Sequence, residues 1–147
     1  MDSEWSEKNK RIQVLLGKET TYEDGIELLI KFRKEMFEQI SQIVNGYPVH
    51  AFYQMPFANV KGYHSKTLSY SIWHIFRIED IVAHTLIAGD EQIFVAGGYQ
   101  KKTGSPVITT GNELQGQEIA EFSKKLNISA LYEYAREVML STNSLLM

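Results

Sequence analysis

His74, Arg77, Glu79, Asp80 and His84 share one apolar run, Ser69-Tyr70-Ser71-Ile72-Trp73-His74-Ile75-Phe76-Arg77-Ile78-Glu79-Asp80-Ile81-Val82-Ala83-His84. These side-chain types can ligate a metal, move a proton or form ion pairs. Their surroundings make the question sharp. A polar group taken out of water costs free energy unless it is paired or ligated. Whatever satisfies this set therefore decides what the segment does.

At about 100° per residue, the helical face of His74 also carries Thr67, Tyr70, Ile78, Ile81 and Thr85. Ile72, Phe76, Ala83 and Leu86 fall on the other side. The helix is apolar nearly all round, the pattern of an element surrounded by others, so His74 is expected to point inward. His84 follows Asp80 by one turn, which allows an Asp80–His84 contact. Glu79 and Asp80 have two expected uses. They can orient a metal ligand or act as a base beside metal-bound water, or they can form a structural ion pair with Arg77 or Arg33. His64, at the start of the same helix, can approach an open coordination position, or it can simply sit near the helix start. His50 lies in a loop and is assigned no role. Ser69 and Ser71 have no recognisable nucleophile context, and no Gly-rich phosphate loop is present.

The elements that must hold these residues read as helices. A first short one spans Trp5 to Leu16 and stops at Gly17. Thr20 with Glu23 reads as a capping box that opens a long helix running to about Val44. Residues 47–64 form an aromatic-rich connector that is expected to pack over the bundle. Ser65 is the expected N-cap of the central helix, which continues to Ala88 before Gly89. A short helical piece from Glu91 to Ala96, a turn-rich stretch over 97–111, a short helix from Glu113 to Leu126 and a long one from Ser129 to Leu146 follow. Val107 to Thr110 can be briefly extended, with nothing to pair into a sheet. The expected class is all-α, in one domain over 1–147.

Composition sets outer bounds. The 147 residues are 44% apolar and 22% charged, ordinary for a globular domain. There is no cysteine, hence no disulfide framework or thiolate metal site. The net charge of −3, without a basic cluster, argues against nucleic acid as a partner. The N-terminal residues do not read as a secretory signal, and no apolar stretch is long enough to span a bilayer. A cytoplasmic protein is the expectation.

The run Trp73-His74-Ile75-Phe76-Arg77-Ile78-Glu79-Asp80, with the long helix before it and the helix from 129, resembles the DinB-like superfamily of bacterial helical-bundle proteins. The resemblance implies an up-down-down-up four-helix bundle and a divalent metal, zinc or nickel, held by three His. One comes from the second helix, matched here by His74. The other two come from a His-x-x-x-His pair on the last helix. No His follows His84 in this sequence. The resemblance therefore implies that the last long helix is missing from this chain or that another subunit covers the central helix, with a homodimer the expected assembly. The implied function is a metal-dependent hydrolase or thiol transferase, with His74 and His64 as metal candidates. The competing expectation is a bundle without the metal site that serves as a binding or dimerisation module.

Overall fold

The computed structural model describes residues 3–55 and 66–147. All regular structure among the described residues is helical, so the chain is all-α. It divides into two compact units, Met1–Gln42 with Leu146–Met147, and Ile43–Leu145. No described helix is long and apolar enough to cross a membrane.

In the first unit, helix α1 spans Ser3–Leu16 and helix α2 begins at Tyr22 and runs to Gly46. Gly17 stops α1, its N–H donating to the Gln13 carbonyl at 3.2 Å. The capping box expected at Thr20 and Glu23 does not start α2. Glu19–Thr21 instead form a 3-10 turn that leads straight into it. The hydroxyl of Thr21 donates back to the Leu15 carbonyl at 2.8 Å, spending a capping-type side chain on the end of α1. Gly25 lets the two helices meet, because a Cβ there would stand 2.9 Å from Leu16 Cδ2. Lys8 and Glu35 pair across them at 2.7 Å, which raises the Lys8 ammonium and lowers the Glu35 carboxyl.

The second unit carries the polar cluster. A 3-10 turn over Val49–Phe52 buries Phe52. Helix α3 spans Leu68–Asp80, and its N-cap is Thr67, whose hydroxyl oxygen accepts from the Tyr70 N–H at 3.0 Å. Ser65, the expected cap, lies outside the described residues, as do His64 and the connector from Pro56 onward. Helix α4 covers Ile93–Ala96, α5 Tyr99–Thr103, α6 Gln117–Lys125 and α7 Ile128–Leu146. Helix α5 lies inside the stretch expected to be only turns. The fully buried Thr67 and Ser123 hydroxyls meet at 2.6 Å. Ser123 spends its proton on the Ile119 carbonyl, so Thr67 is the donor, and α3 is tied to α6. Trp73 sits at the centre, with ring centroids 5.4 Å from both Phe94 and Phe122 and 6.4 Å from Tyr134. Four helices therefore share one aromatic core.

Two features of the central segment differ from expectation. After Asp80 the helix widens into a π-helical stretch, Ile81–Ala88, closed by Gly89 in the left-handed region at φ 68°. A π stretch is rare and tends to occur where side chains are re-aimed for function. The segment is also not surrounded. Trp73, Phe76, Arg77, Asp80, Ala83 and His84 are buried, while Ile75, Ile78 and Val82 are 50%, 41% and 40% exposed. The inward face is that of Trp73 and Arg77, and His74 is only half-buried at its margin.

Candidate functional site

Arg77 and Asp80, at 2% and 0% exposure, form the buried polar centre of the unit. Spaced three apart, they project from one side of α3. Arg77 Nη1 donates to Asp80 Oδ2 at 3.3 Å and to the Tyr134 hydroxyl at 3.1 Å. Its Nη2 donates to Gln92 Oε1 at 2.9 Å and to the Ile108 carbonyl at 2.5 Å. The guanidinium lies 4.3 Å from the Phe94 ring centroid. The Asp80 carboxylate does as much. Oδ1 accepts from the Ile93 N–H and Oδ2 from the Phe94 N–H, each at 2.9 Å, which caps the start of α4. Tyr134 donates to Oδ2 at 2.7 Å. Burial pushes the Tyr134 hydroxyl well above the usual phenol range, so it remains a proton donor throughout the neutral range. The structural ion pair with Arg77 is thus present, and the expected Asp80–His84 contact is not what these groups make.

This knot forms one wall of a cavity of about 1000 Å³. Phe94, Val95 and Ile108 give it apolar surface, and Lys101, Thr109 and Thr110 add polar groups. Gln92 and the Ile108 carbonyl, both held by Arg77, also line it. The ion pair therefore fixes the wall, and its own hydrogen-bonding capacity is largely spent. Thr109 donates to Glu113 at 2.6 Å, which steadies the loop at the cavity edge.

His74 sits next to this wall. Its Nδ1 is 2.7 Å from the Thr110 carbonyl oxygen, and its ring stacks on Tyr70 at 5.5 Å. A carbonyl only accepts, so Nδ1 is the donor in this contact, and in the neutral ring the lone pair is on Nε2. That is the outer contact a metal-binding His ordinarily makes. A centre needs more than one donor, however, and among the described residues no group of three His, Asp or Glu stands close enough to hold a metal. His74 is a single candidate ligand, and His64 lies outside the described residues. His50 is exposed in the 3-10 turn, without a role in the site.

His84 turns inward at 5% exposure, and its partners were not expected. Nδ1 is 2.6 Å from Asp90 Oδ1, and Nε2 is 2.8 Å from Ser141 Oγ on α7. The left-handed Gly89 folds the chain back so that the Asp90 N–H reaches the His84 carbonyl at 3.0 Å and its side chain reaches the ring. Sequence reasoning missed Gln92, Tyr134, Asp90 and Ser141. The one available signal was that a buried Arg and a buried His each demand acceptors. It says that partners exist but not which they are. No protein-family model and no curated protein matches this sequence.

Proposed function

We propose that this chain is a small-molecule binding module built on a DinB-like helical bundle, and that the cavity beside Arg77 receives an amphipathic carboxylate. The cavity itself carries this reading. Its volume of about 1000 Å³ is at the upper end of ligand sites, its walls are mostly apolar, and Lys101 offers a cation at the lining. Such a site buries a hydrocarbon segment and leaves a charged end near the ammonium. Decanoate, followed by isothermal titration, is the direct probe. Val95→Trp is expected to crowd the apolar wall and weaken binding. Lys101→Gln is expected to weaken decanoate by roughly 2–5-fold, the worth of an exposed ion pair, while leaving decanol unchanged. Failure of the wild-type protein to bind decanoate, or binding that Val95→Trp does not weaken, removes the reading.

A second reading, a metal-dependent hydrolase or thiol transferase, is favoured by one observation: the Thr110 carbonyl engages His74 Nδ1, the outer contact that a metal-binding His ordinarily makes. Elemental analysis of protein purified without chelator decides it. About one zinc or nickel ion per chain, lost in His74→Ala, is the expected result on this reading. No metal in either protein eliminates it.

A further inference from the structure

We propose that Asp90, His84 and Ser141 form a proton relay that makes Ser141 a reactive nucleophile toward activated esters of apolar acids. This goes beyond ligand binding at the cavity and uses none of the residues that line it.

The connectivity carries the inference. The Asp90 carboxylate accepts only, so at 2.6 Å it accepts the hydrogen bond of His84 Nδ1–H and holds that proton on Nδ1. In the neutral ring Nε2 then accepts from the Ser141 hydroxyl at 2.8 Å. Acid, imidazole and hydroxyl follow one another in the order that activates a serine, and both separations are within hydrogen-bond reach. The three residues come from different places: the π-helical stretch, the turn after it and α7. His84 is 5% exposed, whereas Ser141 is only partly buried, so the base is shielded while the nucleophile can meet a substrate. His84 lies within the widened stretch Ile81–Ala88, and π segments are frequent at functional sites.

The surroundings define the substrate. Leu145 lies one turn beyond Ser141 on the same side of α7 and is 46% exposed. It offers an apolar surface to an acyl chain. In the reaction, Ser141 Oγ bonds to the ester carbonyl carbon and its proton passes to His84 Nε2. The carbonyl–oxygen bond to the leaving group breaks, and the leaving group departs with that proton. Asp90 touches no substrate and is a positioning residue. Its carboxylate is 59% exposed, which weakens its hold on the ring compared with a buried acid. Helix α7 also commits its backbone N–H groups to its own carbonyls, which leaves few donors for an oxyanion. The relay should therefore acylate slowly and release the acyl group more slowly still.

The test is 4-nitrophenyl butyrate with the full chain. A burst of nitrophenolate near one equivalent is expected, with a butyryl group mapped to Ser141 by peptide mass spectrometry. Ser141→Ala should lose the adduct. His84→Gln should lower the rate by about 100-fold or more, the usual worth of a general base. Asp90→Asn, an exposed change that leaves the core intact, should slow the burst and shift its pH profile. Circular dichroism checks that each variant is folded. Absence of an adduct on wild-type Ser141, or an unchanged rate in a folded His84→Gln or Asp90→Asn variant, overturns the proposal.

Discussion

Replacing Asp80 with alanine is expected to cost about 3–5 kcal/mol of folding stability, the range for breaking a buried ion pair from one side. Asp80 is fully buried, and its two oxygens answer Arg77, Tyr134 and the N–H groups of Ile93 and Phe94. Its removal strands a buried guanidinium and uncaps α4 in one step. The Gln92 and Ile108 contacts of Arg77 cannot replace a counter-charge, because both partners are neutral. The cause can be separated from simple loss of packing. Removing both charges, as Arg77→Met with Asp80→Leu, should be less damaging than Asp80→Ala alone, because no unpaired charge is left behind. Urea denaturation of the three proteins is the measurement. If Asp80→Ala unfolds at the wild-type midpoint, or the double variant is the least stable, the pair is not what holds this centre.

That centre was only half legible beforehand. An ion pair of Glu79 or Asp80 with Arg77 or Arg33 was expected from the cost of leaving a buried charge alone, and the structure selects Arg77 with Asp80. Helix ends marked by Gly17 and Gly89 were legible for a comparable reason, since a glycine after the last apolar repeat is a local stop signal, and Gly89 adds a left-handed turn. The buried face of α3 was not. When Ile75, Ile78 and Val82 are as apolar as Ile72 and Phe76, periodicity offers no contrast, and only the packed partners decide which side turns inward. The π stretch after Asp80 carries no composition of its own, so the aim of His84 changed without warning. Its link to Ser141 spans 57 positions, and its link to Asp90 depends on the reversal at Gly89. Helix α5 was hidden because Gly98 and Gly104 bracket it so closely that the stretch reads as turns alone.

Trp73→Ala is expected to cost about 3–5 kcal/mol, whereas Trp73→Phe should cost about 1–2 kcal/mol. Trp73 has no exposed surface, and its ring meets Phe94 and Phe122 edge-on. Alanine leaves a void bounded by helices α3, α4, α6 and α7, all anchored elsewhere, so the site cannot easily collapse. Phenylalanine keeps a ring in the same slot and removes a liability as well. The indole N–H is buried without a hydrogen-bond partner among the described residues, so its loss recovers part of the cost of the smaller ring. The effect should reach the cavity. Phe94 packs on Trp73 while supporting the Arg77 guanidinium, so Trp73→Ala frees a ring that lines the binding wall. On the proposed reading, decanoate affinity should fall along with stability, although Trp73 itself is not among the lining residues. Chemical denaturation and titration on the same preparations test both claims. Equal losses for alanine and phenylalanine would mean that a phenyl ring restores none of the packing of the indole, which overturns the prediction.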